Sequence, residues 1–155
     1  MKTRVAFYSR TGTTKKVADS ISKLLKCDCE QILDAKSRAG PVGYLKSGRE
    51  ATLKKLALIK KTKKDPKKYD LVIVGTPVWA FNISSPIRTY ISGNRDFFKK
   101  VAFFCSMGGS GDKNTFNEME KLCGKKPLKT MALKTREVLD KKHISSVKEF
   151  VKGMK

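Results

Sequence analysis

The stretch Val5-Ala6-Phe7-Tyr8-Ser9-Arg10-Thr11-Gly12-Thr13-Thr14 joins a short β-type run directly to a loop rich in hydroxyl groups. Beyond this loop, apolar residues recur at helical spacing, at Val17, Ile21, Leu24 and Leu25. The first unit is therefore predicted to be a strand, a tight loop and a helix. The hydroxyls of the loop lie next to the free N–H groups of the helix start, and this combination suits a phosphate. An ordinary capped helix start is the alternative interpretation.

Two more apolar runs are followed by unusual loops. Leu71–Gly75 is rich in β-branched residues and ends in a loop that carries Trp79 and Phe81, while Val101–Cys105 is followed by a loop with three glycines. Because the carboxyl ends of parallel strands meet at one edge of a sheet, all three loops should lie together there. An aromatic side chain in the second loop could stack on a flat ligand or could simply pack in the core. The glycines of the third loop permit close approach to a ligand or a flexible turn.

The remaining pattern predicts strands that alternate with helices. Cys27–Leu33 and Leu128–Leu133 have the composition of strands, whereas residues 36–52 contain glycines and a proline and are predicted to form a loop. A helix is predicted through Leu53 to Ile59, and a last helix is predicted to carry His143 on its exposed side. Five strands that alternate with five helices imply an α/β fold with a parallel sheet covered on both faces.

Length and composition restrict the class of protein. With 155 residues, the chain is predicted to form a single domain, 1–155. Its apolar runs are too short to insert in a membrane, and the N-terminal residues lack the apolar core of a signal peptide, so we expect a cytoplasmic protein. The four cysteines have no Cys-x-x-Cys spacing, so we expect free thiols and no metal site.

The net charge is unusually positive, because 35 Lys and Arg against 14 Asp and Glu give +21. The densest group of lysines lies between Lys54 and Lys68, without interleaved aromatic residues for stacking on bases. We interpret this group as a solvated helix end and loop. An acidic protein partner is the second interpretation, and nucleic acid is the one least favoured by the pattern.

The three loops together resemble those of the flavodoxin family. Ser9 to Thr14 resembles the family's Ser/Thr-x-Thr-Gly-x-Thr loop, and Gly75 to Trp79 resembles the segment whose aromatic residue flanks the flavin ring. The resemblance implies a three-layer sandwich, a five-stranded parallel sheet of order 2-1-3-4-5 and one bound FMN. It also implies that the cofactor is bound by Ser9, Arg10, Thr11, Gly12, Thr13, Thr14, Pro77, Val78, Trp79, Ala80, Phe81, Asn82, Ser106, Met107, Gly108, Gly109 and Ser110. A second flanking tyrosine has no counterpart after Cys105, and Tyr44 is the available substitute.

By this resemblance, we expect an FMN-dependent electron carrier with an acidic, ferredoxin-like redox partner. The main alternative is an FMN-dependent NAD(P)H:quinone oxidoreductase, and a flavin-free basic module that binds nucleic acid is the second. No histidine, pair of acids or nucleophile triad stands out near the loops, so we name no catalytic residue. A phosphatase loop of the type Cys-x-x-x-x-x-Arg is excluded, because Gly111 stands where the arginine would be.

Overall fold

The computed structural model describes all residues from 1 to 155 and consists of six strands and six α-helices. In chain order these are β1 (Thr3–Phe7), α1 (Thr13–Leu25), β2 (Asp28–Gln31), α2 (Gly40–Thr52), β3 (Leu71–Trp79), β4 (Asn82–Ile83), α3 (Ser85–Asn94), β5 (Lys100–Met107), α4 (Asp112–Cys123), β6 (Thr130–Lys134), α5 (Thr135–Leu139) and α6 (Ile144–Val151). None of these helices is both long enough and apolar enough to cross a bilayer.

The sheet confirms the predicted order of strands. Its five main strands are parallel and follow the order β2-β1-β3-β5-β6. The two-residue β4 is the only addition, and it pairs antiparallel with the end of β3. Strands β1, β3 and β5 are central and are buried almost throughout, as expected for apolar runs that have helices on both sides.

Side chains that alternate along β1 enter two separate cores. Val5 and Phe7 face a cluster that includes α1 and α6, whereas Ala6 and Tyr8 face a cluster that includes α3 and α4. This period of two is the geometry of an extended strand whose successive side chains point to opposite faces. The result is the three-layer α/β sandwich that the alternation of strands and helices predicted.

The prediction for the segment that contains α2 was wrong. Residues 40–52 form a helix rather than a loop, and the chain from Leu53 to Ile59 is irregular rather than helical. Glycine here permits close packing, since a Cβ on Gly43 would lie 2.1 Å from the carbonyl oxygen of Arg38. Pro41 lies in the first turn of the helix, where a missing N–H costs nothing. These residues therefore start a helix and allow it to pack closely against the segment directly before it.

The placement of His143 was also wrong. This residue is buried just before the first turn of α6, and its Nε2 atom lies 3.3 Å from the Ser20 hydroxyl of α1. The helix begins one residue later than His143, which turns the imidazole toward α1 instead of toward solvent. Burial, followed by the nearby positive charge of Lys16, lowers the pKa of His143.

The lysine-rich segment forms an exposed irregular chain along the outer edge of β2. The N–H of Lys60 donates to the carbonyl oxygen of Leu33 at 2.8 Å, and the N–H of Lys64 donates to Glu30 at 3.1 Å. Beneath it, fully buried Arg4 forms an ion pair with Glu30 at 2.8 Å and donates to the carbonyl oxygen of Lys64 at 2.6 Å. This segment therefore covers part of the edge of the sheet with charged residues, which discourages strand-to-strand association.

Candidate functional site

The loop after β1 meets the carboxyl ends of β3 and β5, with Gly108 just beyond β5, at one cavity of about 280 Å³. These three strands are neighbours in the sheet, so their carboxyl ends bring the loops side by side. Ten predicted cofactor residues line the cavity: Arg10, Thr11, Thr13, Thr14, Pro77, Val78, Trp79, Ser106, Met107 and Gly108. Two further residues, Tyr44 from α2 and Thr135 from α5, complete its wall.

The first loop is shaped by Ser9 and Gly12. Gly12 has φ 102°, a left-handed conformation that favours glycine, and it lies directly before α1. The Ser9 hydroxyl accepts hydrogen bonds from the N–H of Gly12 at 3.0 Å and from that of Lys15 at 3.2 Å. Ser9 therefore braces the loop from within, and neither Ser9 nor Gly12 lines the cavity.

Backbone donors at this loop are available to an anion. The N–H groups of Thr11, Thr13 and Thr14 have no acceptor within the protein. They lie at the positive end of the α1 dipole, and no acidic residue occupies the first turn of the helix. The Arg10 guanidinium adds a positive charge to the lining. This donor set fits a phosphate group.

A buried hydrogen bond joins the start of α1 to the end of β5. The hydroxyl oxygens of Thr14 and Ser106 lie 2.7 Å apart, and both residues are buried. The Thr135 hydroxyl also donates to the carbonyl oxygen of Met107 at 3.2 Å. These bonds fix the position of the third loop relative to the start of α1.

Trp79 is held by charged and aromatic neighbours. Its ring meets that of Tyr8 edge to face, with 5.4 Å between centroids, and the Arg38 guanidinium lies 5.2 Å from the indole centroid. Arg38 forms ion pairs with Asp34 and, at 2.6 Å, with Glu50. Burial opposes the charge of Arg38, but its bonds to these carboxylates outweigh that effect and raise its pKa. The cation and the indole ring therefore stay together.

A strained turn of two residues joins β3 to β4 and forms the β3–β4 hairpin. Ala80 and Phe81 have φ 47° and 62°, although neither is glycine, asparagine or aspartate. The turn is pressed against Gly111, where a Cβ would lie 2.9 Å from the Cα of Phe81. Asn114 also donates to the carbonyl oxygen of Phe81 at 2.8 Å. Contacts with the start of α4 therefore hold the hairpin in this conformation.

Several predicted cofactor residues lie beside the cavity rather than in its wall. Asn82 is buried, and its side-chain oxygen accepts from Arg88 at 3.0 Å. The others outside the lining are Ser9, Gly12, Ala80, Phe81, Gly109 and Ser110. Tyr44 is exposed and lies below the Arg10 guanidinium, which is 5.5 Å from its ring centroid. Sequence reasoning could name Tyr44 as a candidate, but α2 had to be known before its place at the cavity could be seen.

Fold and cavity define a doubly wound α/β protein with a loop of free N–H donors at the carboxyl edge of its sheet. A family model described as flavodoxin matches residues 2–152, and the chain belongs to the flavodoxin family. The resemblance noted from the sequence is therefore confirmed. No curated protein matches the chain.

Solved structures share this fold. A flavoprotein from Lactobacillus acidophilus NCFM, in complex with FMN, is 22% identical, with a TM-score of 0.75 over 90% of this chain and 97% of that one. A flavoprotein from Bacteroides eggerthii DSM 20697 is 23% identical, with a TM-score of 0.77 over 97% and 96% of the two chains. Oxidised flavodoxin 1 from Bacillus cereus is 18% identical, with a TM-score of 0.57 over 99% of both.

Proposed function

We propose that this protein binds one FMN in the cavity and carries electrons through it. The observation that carries the proposal is a cavity where the loop after β1, which offers unpaired N–H donors, meets the carboxyl ends of β3 and β5. FMN is the cofactor of the flavodoxin family, and it combines a phosphate with a flat aromatic ring. The cavity offers counterparts for both, namely an anion-binding loop and two aromatic side chains.

Each part of the cavity has a distinct task in this proposal. The N–H groups and hydroxyls of Thr11 and Thr13 hold the phosphate, and the Arg10 guanidinium offsets its charge. Trp79 and Tyr44 provide aromatic surface for the ring, while Gly108 lets the backbone approach it. The flavin supplies the redox chemistry when it is bound, and the protein supplies binding, orientation and electrostatics.

The composition of the cavity wall favours a carrier over an enzyme. Its lining contains no Asp, Glu, His or Cys, and its ionisable side chains are Arg10 and Tyr44. An enzyme that transfers protons to a substrate generally positions a group whose pKa lies near the working pH. Histidine has that role most often, and no histidine lines the cavity. Electron transfer without substrate protonation therefore suits these residues best.

A titration with FMN tests the binding site. Trp79 is the sole tryptophan and lines the cavity, so its fluorescence should be quenched and should level off at one equivalent of FMN. Thr13→Val should weaken FMN binding about tenfold or more, because a hydrogen bond to a charged group contributes about 1.5–3 kcal/mol. Thr130→Val is the matched control, since Thr130 is an exposed threonine that begins the edge strand β6 and does not line the cavity. Failure to bind FMN would refute the proposal.

Turnover assays separate a carrier from an enzyme. The FMN-loaded protein should oxidise NADH or NADPH in the presence of a quinone only at a negligible rate. Sustained turnover at about 1 s⁻¹ or faster, within the usual range of enzymes, would instead support the FMN-dependent NAD(P)H:quinone oxidoreductase. A protein that takes up no FMN but binds a nucleic-acid probe would support the flavin-free basic module.

A further inference from the structure

Helix α2 has the reverse of the usual amphipathic arrangement. Its buried positions, spaced four residues apart, are the small residues Gly43, Ser47 and Ala51. Its large apolar side chains point outward, with exposed fractions of 79% for Val42 and 71% for Leu45. A surface helix normally buries its large apolar residues and exposes polar ones. The outward side of α2 therefore has the composition of a surface that another molecule covers.

A groove extends this surface toward the cofactor cavity. It lies between α2 and the β3–β4 hairpin, has a volume of about 350 Å³, and includes Tyr44, Leu45 and Ala80 in its wall. Tyr44, Val78 and Trp79 line both the groove and the cofactor cavity. We use the name α2 face for Val42, Tyr44, Leu45, Arg49 and this groove. Exposed leucines at Leu53, Leu56 and Leu58 follow α2 along the chain. Grouped apolar exposure of this kind marks interaction sites, whereas a single exposed leucine is ordinary.

The charges around the α2 face are positive. Lys46, Arg49 and Lys55 are exposed, whereas the nearby carboxylate of Glu50 is turned inward toward Arg38 and Ser85. Burial alone would raise the pKa of Glu50, but the hydrogen bonds from Ser85 and Arg38 hold it below its ordinary value. The inward carboxylate thus stays charged and is neutralised by its own partners. The exposed cations remain for a negatively charged molecule.

We propose that the α2 face is the docking surface for an acidic protein with an apolar centre. A second copy of this chain is a poor occupant, because both copies would carry a net charge of +21. A flat bilayer surface would leave the recessed groove unfilled, whereas a protein side chain can enter it. As a site for a redox partner, this inference rests on the proposed function. It adds the location of docking, beside the cavity, and the chemistry of the partner.

Titration calorimetry with an acidic ferredoxin tests the inference. The full chain is measured both loaded with FMN and without it. Leu45→Glu alters the apolar part of the α2 face, and Arg49→Glu alters its charge. Leu128→Glu and Lys148→Glu are the matched controls, because these exposed residues lie near the start of β6 and on α6, away from α2. Far-UV circular dichroism and FMN titration check that all four variants keep their fold and their cofactor site.

The expected result is micromolar binding that each α2-face variant weakens about tenfold or more, and that each control weakens by less than about threefold. Added salt should weaken binding further. Absence of ferredoxin binding, or equal losses in Arg49→Glu and Lys148→Glu, would overturn the inference. So would Leu45-dependent binding to phosphatidylserine vesicles in place of ferredoxin. If docking follows this pattern but FMN does not bind, the docking surface stands and only the proposed electron carrier fails.

Discussion

Replacement of Thr14 by valine tests how the cofactor cavity is held together. The hydroxyls of Thr14 and Ser106 are 2.7 Å apart, and the two residues are only 1% and 4% exposed. Neither hydroxyl has another hydrogen-bond partner within the protein. Valine keeps the branched shape of threonine but cannot form the bond. Thr14→Val therefore leaves the buried Ser106 hydroxyl without its partner.

The expected loss of stability depends on whether one or both partners of the buried hydrogen bond are removed. A buried polar group that loses its partner costs about 1–3 kcal/mol of stability, whereas removal of both partners can be nearly neutral. We therefore expect Thr14→Val and Ser106→Ala each to lower the free energy of unfolding by about 1–3 kcal/mol. The double variant should lose less than the sum, with a coupling energy of about 1–2 kcal/mol. FMN affinity should fall in both single variants, because the start of α1 and the end of β5 lose a bond between them.

Urea unfolding of the four proteins at a single pH measures this coupling directly. The wild type, both single variants and the double variant form a complete cycle, and equal denaturant slopes would show that the two-state comparison is valid. A coupling energy below about 0.5 kcal/mol would refute the reasoning, because independent sites agree to within that amount. The same outcome would show that the start of α1 and the end of β5 keep their positions without this bond.

Three further predictions concern other parts of the fold and site. Gly111→Ala should cost about 1–3 kcal/mol more than Gly12→Ala in urea unfolding, because both have left-handed φ but only the Cβ at Gly111 would press on the β3–β4 hairpin; equal costs would contradict this. Because burial and then Lys16 lower the folded-state pKa of His143, the unfolded state binds its proton more readily, and stability should fall as pH drops below about 6.5. His143→Gln should flatten that dependence, and an unchanged slope would show that other groups cause it. With FMN bound, Arg10→Gln should lower the one-electron reduction potential of the flavin by about 20 mV, the value for one charge at about 10 Å in water. Potentiometry that finds no shift would show that the charge of Arg10 does not influence the flavin.

The central strands and their loops could be predicted because the signals are local. The run Leu71–Val74 can satisfy its apolar side chains only between two helical layers, and Gly12 supplies a backbone conformation that other residues avoid. Parallel pairing of β1, β3 and β5 then brings the three loops to one edge without further information. Ten of the predicted residues in those loops line one cavity as a consequence.

Helix α2 could not be predicted because its signal depends on tertiary packing. Gly43, Ser47 and Ala51 look like turn or surface residues when the chain is considered alone, yet they form the side of α2 that is buried against the rest of the fold. The ion pair of Arg38 with Glu50, and the contact of Arg38 with Trp79, join residues from separate segments of the chain. Such contacts leave no periodic pattern in the sequence of α2. The place of Tyr44 at the cavity follows from this helix and was hidden for the same reason.

The strained hairpin connects the two surfaces to which functions are proposed. Two consecutive left-handed residues, Ala80 and Phe81, cost about 1–2 kcal/mol each, so their conformation persists only because packing around them compensates. That packing comes from the start of α4, where Gly111 lies against Phe81 and Asn114 donates to its carbonyl oxygen. Tyr44, Val78 and Trp79 line both the cofactor cavity and the groove of the α2 face. A molecule that fills the groove therefore contacts the same three side chains that border the cofactor cavity, and docking and cofactor binding should each alter the affinity of the other.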